Sequence, residues 1–162
     1  DKEAQGYAYE GADASFELLA RRSLGTVPDY FGVERFRINV ERRENAQGEL
    51  VPVSEAVVKM RIDGEVLISA AEGNGPVNAL DLALRKDLGK YQPYIADLEL
   101  VDYRVRVFQG GTDAVTRVLV EFRDSSGERW STVGVSPNII EASFEALIDA
   151  ITYRLLKSGA PA

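Results

Sequence analysis

The chain has 162 residues, a formal charge of -7, and neither cysteine nor histidine. Those two absences exclude disulfides, thiolate zinc sites, Cys-His nucleophiles and Ser-His-Asp triads together. With 26 acidic against 19 basic residues, and the basic ones scattered, the composition also argues against a nucleic-acid partner, which draws on clustered Lys and Arg. No apolar run approaches the roughly 18 residues of a membrane span, and no signal-peptide pattern is present. The expectation is one main domain, cytoplasmic, without nucleic acid or membrane. The sequence opens on Asp1 and its only methionine is Met60, which reads as a piece excised from a longer protein.

Segment 11–22 reads as a short helix, with Asp13 as its capping residue, an apolar stripe through Ala14, Leu18 and Leu19, and Arg21-Arg22 in the last turn before Gly25. From Phe36 to Arg42 apolar and polar residues alternate as on a half-buried strand. A polar loop over 44–49 leads to a second strand over 56–62, and Asp63-Gly64 is a hairpin signal into a third over 66–70. A helix follows from Pro76 to about Leu88, with Val77, Leu80, Leu84 and Leu88 on one face. The second half repeats the order: strands over 98–107, 115–123 and 129–135, the Ser125-Ser126-Gly127 turn, and a helix from Ile139 to about Leu156.

The predicted fold is α+β, a pseudo-twofold repeat of two βββα units. It has two three-stranded antiparallel sheets with helices packed between or behind them. The predicted boundaries are 1–32 for the end of a linker region, 33–157 for the domain (units about 33–92 and 96–157), and 158–162 for a tail.

The two helix starts lie about sixty residues apart, a spacing that suggests duplication rather than a solenoid. Asn138 falls opposite Gly75, both N-cap types, and Pro76 stands at the first helical position. Glu141, three residues after Asn138, fits a capping box. The alternative is that these helix starts bind an anion, since free amides and the helix dipole favour a carboxylate or phosphate and Gly73 and Gly75 let a ligand approach the backbone. The loop Gly110-Gly111-Thr112-Asp113-Ala114 is either a flexible turn or a seat for a small zwitterion. Trp130 reads as core, and Arg85, Lys86, Asp87, Glu145 and Asp149 as ordinary solvated positions.

Several ordered motifs carry a resemblance: 74–80 (Asn-Gly-Pro-Val-Asn-Ala-Leu), 101–106 (Val-Asp-Tyr-Arg-Val-Arg), 111–114 (Gly-Thr-Asp-Ala) and 132–143 (Thr-Val-Gly-Val-Ser-Pro-Asn-Ile-Ile-Glu-Ala-Ser). Together, over about Phe36 to Leu156, the chain resembles the C-terminal regulatory domain of the 2-isopropylmalate synthase and citramalate synthase family. Segment 11–19 is similar to the end of that family's linker. The 133–143 segment is closer to the citramalate synthase type, because ordinary isopropylmalate synthases tend to carry an acidic residue where Pro137 or Asn138 stands. The resemblance implies a homodimer, feedback binding of a branched-chain amino acid, isoleucine foremost, and an upstream catalytic barrel in the same polypeptide. That parent would use a divalent metal and acetyl-CoA, whereas this domain would hold no cofactor, no metal and no catalytic residue. Many relatives have Asp where this chain has Asn78.

On that reading the effector's carboxylate meets the amides of Val135, Ser136, Pro137 (through its neighbours), Asn138 and Ile139. Its ammonium meets Asp113 or a nearby carbonyl, with Gly111, Thr112 and Ala114 completing the loop. Its alkyl chain rests among Val133, Ile139, Leu98 and Val101. Gly73, Asn74, Gly75, Pro76 and Asn78 form the matching site of the other unit or part of a dimer interface. Isoleucine and leucine differ by where one methyl sits, about 1–3 kcal/mol in an apolar pocket. The rivals are a leucine-binding domain, a dimerisation module without an effector, and an independent enzyme relying on Glu72, Asp113 and Glu141.

Overall fold

Alternation of burial along the central strands turns the sequence pattern into two sheets. In β2 (Leu50–Ile62) Ser54, Ala56, Val58, Met60 and Ile62 are buried while the residues between them are partly or fully exposed. In β5 (Val115–Arg123) the same period buries Thr116, Val118, Val120 and Phe122. Each therefore has one face against a helix and one face outward. The computed structural model describes residues 12–108 and 114–162, and the chain divides into two compact units, 29–93 and a second comprising 94–162 with 1–28.

In the first unit β1 (Gly32–Glu44), β2 and β3 (Glu65–Gly73) form an antiparallel sheet in the order β1-β2-β3. Its strands run longer than the alternation alone indicated. β1 and β2 pair as far as Glu44↔Leu50, and the polar loop shrinks to a turn in which Asn45 Oδ1 accepts from the amides of Gln47 and Glu49. Helix α2 (Pro76–Lys86) buries Ala79, Leu80, Ala83 and Leu84 against β3 and β2. It stops before Leu88, which is fully buried beyond the helix end. A single 3-10 turn (Gly89–Tyr91) follows, and the side chain of Gln92 ties it down by donating to Arg85 O and accepting from Leu88 N. The sequence pattern did not indicate this turn, nor the short helix α3 (Gln92–Ile95).

In the second unit β4 (Glu99–Phe108), β5 and β6 (Arg129–Ser136) make an antiparallel sheet in the order β4-β5-β6. The β5–β6 turn is organised by Asp124, whose Oδ1 accepts from Ser126 N, Ser126 Oγ and Glu128 N. Helix α4 (Ile139–Lys157) lies on β6 and β5, burying Ala142, Ala146, Leu147, Ala150, Ile151 and Leu155. Two hydrogen bonds pin it: Trp130 Nε1 donates to Ala150 O at 3.1 Å and Thr132 Oγ1 to Ala146 O at 2.6 Å. Arg154 reaches from α4 to Tyr94 O, Asp124 and Asp97. The two sheets and their helices give the α+β repeat of two βββα units, down to a matched irregularity early in each edge strand, at Val33/Arg35 and at Leu100/Asp102.

Helix α1 (Asp13–Ser23) packs on β6 and α4. The free edge of β6 donates alternate amides to side chains: Ser131 N to Asp13 Oδ1 (3.3 Å), Val133 N to Ser15 Oγ (2.8 Å) and Val135 N to Glu145 Oε2 (3.4 Å). These contacts close an edge that would otherwise pair with another strand. Asp13 is thus not the cap of α1. Ala12 holds that position without a side-chain bond, and Asp13 sits in the first turn, drawn away by the strand-edge amide.

Candidate functional site

The end of β6 and the start of α4 bring Val135, Ser136, Pro137, Asn138 and Ile139 together as one turn. Asn138 is the N-cap, its Oδ1 accepting from Ile140 N at 2.8 Å and Glu141 N at 3.2 Å. The reciprocal half of the capping box is not formed: Asn138 N donates to Ser136 Oγ at 3.1 Å, so the hydroxyl two residues earlier takes the place read for Glu141. With Val135 N turned to Glu145 and Asn138 N to Ser136, two of the amides read as carboxylate donors already have partners within the chain.

An open groove of about 360 Å³ runs from this turn along α4, lined by Val135, Ser136, Glu141, Phe144, Glu145 and Ile148, with Asp149 at its far end. Its walls are two aliphatic side chains and a phenyl ring; its charge is three carboxylates spaced one helical turn apart. Such a lining favours a group with an ammonium and an alkyl chain over an isolated anion. Glu145 and Asp149 are therefore more than solvated positions, since Glu145 accepts from Val135 N and Asp149 from Arg22 at 2.8 Å. Their spacing with Glu141 was visible in the sequence, but the Phe144 and Ile148 contribution was not singled out.

The remaining residues read from the sequence fall elsewhere. Val133 is buried in mid-strand. Leu98 is buried just before β4, and Val101 sits at the β4 irregularity beside Leu100↔Phe122. The register places Val101 about five and Leu98 about seven residues along the sheet from the Arg117↔Val135 pair, roughly 17 and 23 Å at the rise of a strand. Within one copy a single amino acid reaches one group or the other. Ala114 is exposed beside the first residue of β5, near the Thr116↔Ser136 pair, and Gly111, Thr112 and Asp113 lie outside the described residues.

At the start of α2, Gly75 is the N-cap without a side-chain bond and Pro76 follows at the first position. Asn78 Oδ1 accepts from Asn74 N at 3.1 Å. An Asp there would accept the same bond, so the Asn fits the turn without any ligand. Gly73 is required by packing: a Cβ on it would lie 2.5 Å from Ala79 N and from Asn78 Oδ1. On α2 Arg85 and Lys86 are not merely solvated. Arg85 grips Asp81, 1% exposed, through two bonds of 2.8 and 2.6 Å, and Lys86 donates to Ala70 O. The Asp81–Arg85 spacing of four is a helix ion-pair signal the sequence offered.

Burial pushes the Tyr153 hydroxyl up to about 12, helped by its hydrogen bond to Glu17. Burial would raise Glu17, but bonds from Tyr153, Arg21 and Lys157 hold it below the usual carboxylate range. The Ser125 hydroxyl and amide lower Asp97, and the Ser126 hydroxyl leads in lowering Asp124. Among the described residues no group of three or more side chains is placed to hold a metal, and no helix is long and apolar enough to cross a membrane.

Comparison with known proteins converges with this architecture. Residues 10–155 match the family model described as the LeuA allosteric (dimerisation) domain. The chain is 50% identical over 166 residues to the (R)-citramalate synthase of Streptomyces coelicolor, covering 100% of this chain and 30% of that protein. It is 49% identical over 160 residues to the (R)-citramalate synthase of Geobacter sulfurreducens, covering 98% and 30%. The 2-isopropylmalate synthase of Ruminiclostridium cellulolyticum is 31% identical over 147 residues, covering 91% and 26%. The chain thus spans under a third of these relatives' length.

Proposed function

The chain belongs to the LeuA allosteric (dimerisation) domain family, and from that membership we propose that it is the feedback-sensing, dimer-forming part of a citramalate synthase, with isoleucine as its effector. The observation that carries this is the gap in identity: 49–50% to enzymes named (R)-citramalate synthase against 31% to one named 2-isopropylmalate synthase. The parent would condense acetyl-CoA with pyruvate on an upstream metal-bearing barrel, and this domain would supply regulation but no chemistry.

The groove beside α4 refines how an amino acid would sit. Its three carboxylates suit the ammonium and Val135, Phe144 and Ile148 suit the alkyl chain, while the turn at 136–139 is left for the carboxylate. Leu98 and Val101, at the far end of the sheet, would serve the same ligand only from a second copy, which is how a homodimer would make the effector site. Binding regulates the parent only if it favours one interdomain arrangement over another.

A second reading is favoured by the self-capped start of α4: a dimerisation module that has lost its effector. Thermal unfolding with isoleucine, leucine, valine and acetyl-CoA separates the two. A ligand at one hundred times its dissociation constant stabilises by about 2.7 kcal/mol. The proposal expects such a shift with isoleucine first; a leucine-first order moves the parent to isopropylmalate synthesis, and no shift with any of them leaves the effectorless module.

A further inference from the structure

Of the five asparagines in the chain, at 39, 45, 74, 78 and 138, only Asn74 is followed by glycine. Its surroundings set it apart a second time. Asn45 Oδ1 accepts from Gln47 N and Glu49 N, Asn78 Oδ1 from Asn74 N, and Asn138 Oδ1 from Ile140 N and Glu141 N. Asn39 stands inside β1, opposite Glu55 and followed by the branched Val40. Asn74 is exposed, and among the described residues its side-chain amide has no hydrogen-bond partner. Nor does the Gly75 backbone N–H donate to any of them. A Cβ at Gly75 would meet nothing within 4 Å, so the space beside this backbone is open.

We infer that Asn74-Gly75 is a site of spontaneous covalent modification, deamidation through a cyclic imide with water as the co-reactant. The Gly75 nitrogen bonds to Asn74 Cγ, the Cγ–Nδ2 bond breaks, and ammonia leaves with the proton that Gly75 gives up. Glycine, without a Cβ, leaves that attack unhindered. Water then opens the five-membered ring at one of its two carbonyls. Breaking the Cγ–N bond leaves aspartate; breaking the original peptide bond leaves isoaspartate, with the chain now running through the former side chain. No oxidation state changes. The two products differ in what they do to the turn. Gly73 packs so tightly that a Cβ on it would lie 2.5 Å from Ala79 N, and α2 is fixed by its buried Ala79 and Leu80, so residues 74 and 75 bridge two fixed points. Isoaspartate adds one backbone carbon to that bridge and displaces the Asn74 N bond to Asn78 Oδ1. Aspartate keeps the length and puts a carboxylate at the start of α2, where the helix dipole favours it. The site depends neither on the groove beside α4 nor on the isoleucine reading.

The test is incubation of the whole 162-residue chain in mildly alkaline buffer below its melting temperature, followed by peptide mapping with mass spectrometry. Wild type, Asn74→Gln and Gly75→Ala are compared, folded and in urea. The expected result is the mass gain of an amide becoming an acid at Asn74 in the folded wild type, with aspartate and isoaspartate both present and Asn45, Asn78 and Asn138 intact. The rate rises with pH, because the Gly75 nitrogen must shed its proton to attack. Conversion is lost in Asn74→Gln and slowed in Gly75→Ala. After separation, the isoaspartyl chain melts below the unmodified one and the aspartyl chain does not. The inference is overturned if the folded chain keeps Asn74 intact while the urea-unfolded chain converts, which would make this turn a protected one. It is also overturned if Asn45, Asn78 or Asn138 converts before Asn74, or if Gly75→Ala converts as fast as wild type.

Discussion

Replacing Gly134 with alanine probes the contact on which the second unit is built. A Cβ at that position would lie 1.9 Å from Ala142 O, 2.9 Å from Ala142 C and 3.0 Å from Ala146 N, all backbone atoms of α4. The helix has no side chain to swing aside, so it must retreat by about 1 Å before the oxygen reaches a tolerable distance. Overpacking of this kind costs about 1–3 kcal/mol. The retreat also stretches the Thr132–Ala146 and Trp130–Ala150 bonds, each worth about 1 kcal/mol. The sum is about 3–5 kcal/mol, a fall in melting temperature of about 10 °C for a chain of this size. Urea unfolding followed by Trp130 fluorescence measures it. Gly75→Ala is the control, because a Cβ there meets nothing within 4 Å and the backbone is extended. If Gly134→Ala unfolds within about 0.5 kcal/mol of that control, the close helix–strand approach is not what holds α4.

Asn138→Ala removes both bonds to the first turn of α4 and is expected to cost about 1 kcal/mol. Glu141→Gln, whose side chain does not return to the cap, should stay within about 0.5 kcal/mol by the same urea assay. Asp81→Ala removes the two bonds that Asp81 makes with Arg85 in a nearly buried pair and should cost about 3 kcal/mol, more than the capping change, with Asp81→Asn intermediate. Stability should be level between about pH 6 and 8, since no histidine is present to titrate there. Below that range it should fall, because the lowered carboxyls of Glu17, Asp97 and Asp124 contribute above their unfolded pKa and lose that contribution as the pH drops through their folded values. The Tyr153 contribution has the opposite sign: it is complete below the ordinary tyrosine value of 10.0 and vanishes as the pH rises toward about 12. Urea midpoints across pH 3–12 check both limbs, and a slope near neutrality would contradict the assignment.

The repeat was legible because its signals are local. Asp63-Gly64 turns one hairpin, and period-two burial marks β2 and β5. Asn138 and Pro76 start the two long helices. What stayed hidden depends on partners far along the chain. The strand-edge role of Asp13 and Ser15 is set by β6 amides 118 residues away, and no local rule distinguishes that Asp13 from a cap. The choice of Ser136 over Glu141 at the α4 start turns on backbone direction, which residue types leave open. Gly134 reads as one more small residue in a strand until α4 is laid across it. The candidate site was half visible: the turn from Val135 to Ile139 announced itself, whereas its wall on α4 needed the helix face, and Leu98 and Val101 were grouped with it only because register was unknown.

The most direct measurement of the central claim is calorimetric titration of the chain with isoleucine, at a concentration that sedimentation shows to hold a dimer, with leucine and valine alongside. Saturable binding with isoleucine tightest is expected, lost when Glu145→Gln and Phe144→Ala open the groove beside α4. Heats indistinguishable from dilution for all three amino acids would contradict it and leave a domain that dimerises without sensing.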